Sequence, residues 1–163
     1  MRAPAVTVPD SLEARYAALA EEVDAVVEGE PDLTARMATA ASMLAQAFEH
    51  FFWTGFYVVD RARVDQLVVG PYQGTLGCLR IDFGRGVVGA AAARRESLIV
   101  PDVDAFPGHI ACDSRSRSEV VVPVFDASGA LIAVLDVDST QLDAFSEADA
   151  RGLEEIVRRV FRA

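Results

Sequence analysis

Residues 119–137 read EVVVPVFDASGALIAVLDV. Two apolar, β-branched runs, 119–125 and 131–137, flank the segment 126–129, whose Asp, Ser and Gly favour a tight turn. The stretch therefore predicts a β-hairpin. Because a hairpin joins antiparallel strands, it also predicts that the sheet around it is mostly antiparallel.

Further strands are predicted upstream of this hairpin. Residues 51–59 are aromatic and β-branched, and 66–69 follow after a charged turn, so these two segments predict paired strands. After a break at 70–74, residues 75–81 alternate in a way that predicts another strand, which would contain Cys78. Residues 97–100 predict a short strand before Pro101.

Helical periodicity marks both ends of the chain. Apolar residues recur every three or four positions over 11–29 and again over 32–48, which predicts a helical hairpin at the N-terminus. Residues 86–95 are alanine-rich and predict a helix, and 146–161 predict a final helix with a capping pair, Ser146 and Asp149. The order of elements favours an α+β fold: a mostly antiparallel sheet with the N-terminal helical pair and the C-terminal helix packed on one face.

Size and charge narrow the class of protein. A chain of 163 residues that is 52% hydrophobic predicts a single domain over 1–163, with 1–10 as a flexible N-terminal tail. The net charge of −10, with dense basic groups only at 94–95 and 158–159, argues against binding to nucleic acid or to anionic membranes. The first residues lack the pattern of a secretory signal and no apolar run spans a bilayer, so we expect a cytoplasmic protein.

One of the two cysteines lies in a segment typical of a functional loop. Cys112 follows Pro107, Gly108 and His109 and precedes a run of Ser, Arg and Asp. A structural thiol would be expected on an apolar strand or helix face, so this placement indicates a reactive cysteine. Neighbouring positive charge would favour the thiolate while Asp113 would oppose it, and the sequence leaves that balance open.

Three blocks of sequence occur together: HFFWTGFY at 50–57, GPYQG at 70–74 followed by Cys78, and PDV at 101–103 running into FPGHIACD at 106–113 and on to Glu119. In this order they resemble the free methionine-(R)-sulfoxide reductases, small enzymes built on a GAF domain. The resemblance extends from about residue 48 to the C-terminal helix. It implies a single GAF-like domain that reduces free L-methionine-(R)-sulfoxide to methionine.

The resemblance also implies a role for each cysteine. Cys112 would attack the sulfoxide sulfur and become a sulfenic acid, and Cys78 would resolve it as a Cys78–Cys112 disulfide that thioredoxin reduces. No cofactor is implied beyond this external reductant. Many relatives carry a third cysteine in the pattern Gly-Val-Cys-Gly, where this chain has Val88; a two-cysteine cycle does not need it.

Acidic and aromatic residues would complete the implied site. Activation of a sulfoxide requires a proton donor, for which Glu119, Asp136 and Asp138 are candidates. In the implied site Glu119 and Asp138 would be catalytic, and Asp136 would help to bind the substrate ammonium. Trp53 and Tyr57 would surround the methyl sulfoxide. The substrate carboxylate would meet backbone N–H groups at Ile110 and Ala111, within the segment 110–113.

Structural alternatives remain open for each of these residues. Trp53 and Tyr57 could be core aromatics, Cys78 an inert buried thiol, Asp136 and Asp138 strand-end groups and Glu119 a surface residue. His109 could be a loop hydrogen-bonder. The scattered Cys and His residues show no metal-ligand spacing, so we expect no metal.

Two other functions compete with the reductase. A non-enzymatic GAF module that senses a small ligand or an oxidant through Cys112 would bind or oxidise without turnover. A thiol peroxidase is a second alternative, but the loop around Cys112 has no arrangement of residues that supports it. The helical pair at the N-terminus is compatible with a homodimer.

Overall fold

The computed structural model describes residues 11–162, so the predicted tail at 1–10 lies outside the described residues. The elements follow in the order α1 Leu12–Val27, α2 Leu33–Ala47, β1 Trp53–Val59, β2 Gln66–Gln73, β3 Arg80–Asp82, α3 Gly86–Arg94, β4 Leu98–Val100, β5 Ser118–Phe125, β6 Leu131–Ser139 and α4 Glu147–Val160. A short 3-10 helix, Val103–Ala105, lies between β4 and β5. Within residues 11–162, no helix combines the length and the apolar composition that a bilayer crossing requires.

All six strands form one antiparallel sheet in the order β3-β2-β1-β6-β5-β4. The β5–β6 hairpin is therefore as predicted, and it supplies two of the central strands. The α+β class with a mostly antiparallel sheet is confirmed.

Local capping explains where three of the predicted helices begin. Ser11 accepts a hydrogen bond from the amide of Ala14 at the start of α1, and Asp32 accepts one from Ala35 at the start of α2. At the start of α4, Ser146 and Asp149 form the capping box that the sequence predicted. Each cap satisfies amides that the first helical turn leaves without a partner.

The two faces of the sheet have different partners. Side chains from α1, α2 and α4 pack against Phe56, Val120, Val122 and Leu135 to form the main core. The helix α3 packs on the opposite face, where Val88 and Ala91 join Val121 and Val134 in a second cluster. The N-terminal pair and α4 share one face of the sheet, as predicted, whereas α3 covers the other. Because α3 covers only part of its face, room remains beside it for a pocket.

The strand β2 continues through a segment that was predicted to be a break. Gly55 pairs with Tyr72 and Tyr57 pairs with Val69, so Gly70 and Pro71 together lie opposite Phe56. This β-bulge accommodates a proline that lacks an amide hydrogen. It explains why β2 extends from Gln66 to Gln73 despite its turn-like composition.

Candidate functional site

The two cysteines are joined by a disulfide, with their Cα atoms 5.4 Å apart. Cys78 lies in the loop between β2 and β3, and Cys112 in the loop that leads to β5. Cys112 is exposed, as predicted, and Cys78 is half-buried. The predicted pairing of Cys78 with Cys112 is therefore present.

The predicted strand at 75–81 is wrong for most of its length, because only Arg80–Asp82 forms β3. Leu76 and Leu79, which supplied the apolar part of the pattern, are 77% and 72% exposed. Gly77 packs so closely under Trp53 that a Cβ there would lie 2.9 Å from the indole. Residues 74–79 therefore form a loop that packs against Trp53 and places Cys78 just before the edge strand β3.

A pocket lies on the α3 face of the sheet, beside the disulfide. Its lining includes the predicted residues Trp53, Tyr57, Ile110, Ala111, Cys112, Glu119, Asp136 and Asp138. Cys78 does not line it directly but is bonded to Cys112, which does. Residues that the sequence predicted from three separate segments thus meet at one place.

Sheet register explains how the acidic residues converge. Glu119 on β5 pairs directly with Asp138 on β6, and Asp138 pairs in turn with Trp53 on β1. Asp136 lies two residues before Asp138 and therefore points to the same face. The three carboxyl groups each bring one oxygen within 4.8 Å of the others, and all three side chains are buried. Burial rules out Glu119 as a surface residue.

Such crowding changes the ionisation of these acids. Burial raises the pKa of Glu119 to about 7. Burial, reinforced by the charges of Asp138 and Glu119, raises the pKa of Asp136 well above its usual value. Burial and the charge of Glu119 raise the pKa of Asp138 in the same way, although hydrogen bonds with Asp136 and with Ser116 oppose the rise. The cluster therefore holds protons at a pH where exposed carboxyl groups are ionised.

The aromatic wall is formed by stacked rings. The indole of Trp53 stacks on Tyr57 with ring centroids 5.6 Å apart and on Tyr72 at 4.9 Å. Its Nε1–H donates to the carbonyl of Thr75 at 2.9 Å, which fixes the ring plane. Burial and the neighbouring carboxylates raise the pKa of Tyr57, so its hydroxyl remains protonated beside the acids. Both aromatics belong to the second core cluster and also line the pocket.

The charges around Cys112 are partly paired with each other. Arg115 donates to both carboxylate oxygens of Asp113, through Nε at 3.0 Å and a terminal nitrogen at 2.8 Å. This pairing holds the pKa of Asp113 well below its usual range. His109 also lines the pocket, and its buried Nδ1 has no hydrogen-bond partner among the described residues.

Several lining residues were not predicted from the sequence. Arg85 and Gly86 lie at the start of α3, and Ser116 approaches from the cysteine loop. Gly84 marks the start of the predicted helix and could have drawn attention to Arg85 and Gly86. Only the fold shows that this helix covers the pocket face of the sheet. Val88 also lines the pocket and is buried.

The three acids could also hold a cation. Their oxygen atoms offer the donor type that divalent metal ions prefer, and equally the type that binds an ammonium group. That the reaction uses no metal ion remains a prediction from the sequence.

The fold and the site define an α+β domain with an acidic pocket beside a cysteine pair. The GAF domain family matches this chain over residues 27–161. The chain is 39% identical to free methionine-R-sulfoxide reductase of Escherichia coli, over 89% of this chain and 86% of that protein. It is 44% identical to GAF domain-containing protein A of Dictyostelium discoideum, over 91% of both chains. The X-ray structure of free methionine-R-sulfoxide reductase from Neisseria meningitidis in complex with its substrate is 46% identical and superposes with a TM-score of 0.88, covering 98% of this chain and 93% of that one.

The chain therefore belongs to the free methionine-R-sulfoxide reductases of the GAF domain family, which are oxidoreductases that act on a sulfur group.

Proposed function

We propose that this protein reduces free L-methionine-(R)-sulfoxide to L-methionine, with Cys112 as the nucleophile. The observation that carries the proposal is the position of the Cys78–Cys112 disulfide beside a pocket with three buried, protonatable carboxyl groups. A thiol that takes oxygen from a sulfoxide needs a proton source next to it, and this pocket supplies one. The relatives named for this reaction support the same conclusion.

In the first step, the Cys112 sulfur attacks the sulfur of the sulfoxide while Glu119 or Asp138 protonates its oxygen. Transfer of the oxygen to Cys112 gives a sulfenic acid and releases methionine, so the substrate sulfur is reduced and the cysteine sulfur is oxidised. The raised pKa values of both acids support this role, because a donor must still hold its proton near neutral pH.

Substrate binding would use three parts of the pocket. Asp136 has one buried carboxylate oxygen without a hydrogen-bond partner among the described residues, which suits the ammonium group of an amino acid. Trp53 and Tyr57 offer ring surface to the methyl group. The amides of Ile110 and Ala111 donate to no acceptor within residues 11–162, so they are free for the substrate carboxylate.

The cycle closes when Cys78 attacks the sulfenic acid and water leaves, which forms the Cys78–Cys112 disulfide. A dithiol protein of the thioredoxin class would then reduce the disulfide at the exposed Cys112 side. A cytoplasmic location fits this cycle, since it requires a pool of reduced thioredoxin. No further cofactor is needed. The homodimer remains a prediction.

The test is consumption of the two separate epimers of free methionine sulfoxide, with dithiothreitol or a thioredoxin system as reductant and methionine as the measured product. We expect turnover of the R epimer only. Peptide-bound methionine sulfoxide should react poorly, because its nitrogen cannot place an ammonium on the acidic cluster. Oxidation of Cys112 or binding without any methionine release would instead favour a sensor module.

A further inference from the structure

The two cysteine loops are joined by a second connection besides the disulfide. The hydroxyl of Thr75 donates to Oδ2 of Asp113 at 2.8 Å. Thr75 lies three residues before Cys78, and Asp113 directly follows Cys112. Because this hydrogen bond involves no sulfur atom, it can hold the loops together when the disulfide is reduced.

Asp113 is held as a fixed anionic acceptor. Arg115 binds its carboxylate at two points, and the backbone amide of Arg115 donates to it at 3.0 Å. The Arg115 guanidinium also lies 4.9 Å from the ring centroid of Phe52. These contacts orient Oδ2 toward Thr75, and hydrogen bonds to an ionised carboxylate are stronger than neutral ones.

Thr75 is held from the opposite side. Its carbonyl accepts the hydrogen bond from the indole of Trp53, while its hydroxyl reaches Asp113. The position of the Cys78 loop is thus defined by contacts to the sheet on one side and to the Cys112 loop on the other. After Cys78, the carbonyl of Leu79 accepts a hydrogen bond from the amide of Val69 at 2.9 Å. Before Cys78, the side chain of Leu76 is exposed, so Thr75 is the anchor on that side of the loop.

Resting on the proposed function, we infer that Thr75 and Asp113 are positioning residues for disulfide formation. The step they assist is attack of the Cys78 thiol on the sulfur of the Cys112 sulfenic acid: an S–S bond forms, the S–O bond breaks and water leaves with the thiol proton. Its rate depends on the effective concentration of one sulfur near the other, which falls if the Cys78 loop moves freely. Methionine is released before this step, so the link acts on resolution and not on substrate reduction.

The test compares Thr75→Val, which keeps the shape but loses the hydroxyl, with Thr75→Ser, which keeps the hydroxyl. The first readout is the equilibrium between the Cys78–Cys112 disulfide and a glutathione redox buffer, which needs no catalytic activity. We expect Thr75→Val to lower the equilibrium constant for formation of the Cys78–Cys112 disulfide about tenfold, and Thr75→Ser to keep it near the wild-type value. Melting temperatures show that both variants are folded.

The second readout is a single turnover of the reduced protein without reductant, quenched at intervals and alkylated. Thr75→Val should release methionine at the wild-type rate, form the disulfide about tenfold more slowly and accumulate a sulfenic acid that dimedone traps. An unchanged glutathione equilibrium and an unchanged rate of disulfide formation in Thr75→Val would overturn the inference. Failure of the wild-type protein to release methionine would instead overturn the proposed function, and the glutathione equilibrium would still test the link.

Discussion

Glu119 on β5 lies directly opposite Asp138 on β6, and both side chains are buried on the same face of the sheet. One oxygen of each carboxyl group lies within 4.8 Å of the other, and like charges this close in a buried site repel each other, so the pair does not ionise in two independent steps. Asp136, two residues along β6, adds a third carboxyl group to the cluster. The arrangement keeps protons on the cluster near neutral pH, as the proposed proton transfer requires, and makes the stability of the folded state depend on pH.

Stability should fall as the pH rises through the range in which Glu119 ionises. In the unfolded chain a glutamate loses its proton near its ordinary pKa of 4.5, whereas the folded protein retains this proton up to about pH 7. The stabilisation from the protonated form is therefore complete below pH 4.5 and is lost between pH 4.5 and 7, a loss on the order of 3 kcal/mol.

The variant Glu119→Gln removes this titration. Its melting temperature should exceed that of the wild type at pH 8 and approach it at pH 4.5, as measured by calorimetry across that range. Because the charge of Glu119 also raises the pKa values of Asp136 and Asp138, the difference between variant and wild type reports the ionisation of Glu119 together with its effect on these two acids. Parallel melting curves for both proteins over the whole range would show that Glu119 ionises normally.

Activity should respond to the same substitution in the opposite direction. An amide cannot supply the proton that the sulfoxide oxygen requires, so Glu119→Gln and Asp138→Asn should each lower kcat with free methionine-(R)-sulfoxide by about 100-fold or more. The variant with the larger loss identifies the main donor. Titration of the Cys112 thiol in both variants serves as a control, and a full rate of methionine release in both would remove these acids from proton transfer.

Much of the fold could be predicted because its signals are local. The β5–β6 hairpin, the two N-terminal helices and the capping box of α4 each depend on residues near one another in the sequence. The loop around Cys78 and the face chosen by α3 could not be predicted, since both are decided by tertiary packing. Leu76 and Leu79 suggested a buried strand, but their side chains are exposed. Gly77 packs under the indole of Trp53, a contact that the sequence does not reveal.

The candidate site was predicted mainly through motifs. Because side chains alternate along a strand, Asp136 and Asp138 could be predicted to share one face. The pairing of Glu119 with Asp138 depends on the register between β5 and β6, which the identities of these two residues do not determine. The raised pKa values follow from burial and so required the structure. Thr75 and Asp113 are 38 positions apart in the sequence, so no local sequence pattern predicts the hydrogen bond between them.

Gly77 should be sensitive to a single added methyl group. In Gly77→Ala the new Cβ would lie 2.9 Å from Trp53 and 3.3 Å from the hydroxyl of Tyr57, so the aromatic wall must shift. Overpacking of this size costs about 1–3 kcal/mol. If the shifted rings lose that much substrate binding, KM should rise by about 5- to 150-fold. Steady-state kinetics measure the effect.

Leu79→Ala is the matched control for this substitution, because Leu79 lies in the same loop but is exposed and does not line the pocket. Its KM should match the wild type. Equal KM values in Gly77→Ala and the wild type would mean that the aromatic wall tolerates displacement and does not define the substrate pocket.

The two cysteines should fail at different steps when replaced. Cys112→Ser loses the nucleophile and should release no methionine even in a single turnover. Cys78→Ser retains the nucleophile and should release one equivalent of methionine per protein at the wild-type rate, then stop when thioredoxin is the only reductant. Because dithiothreitol can attack the exposed sulfenic acid directly, it should restore much of the turnover of Cys78→Ser but none of Cys112→Ser. Normal thioredoxin-driven rates in Cys78→Ser would remove Cys78 from the cycle, whereas methionine release by Cys112→Ser would require a different nucleophile.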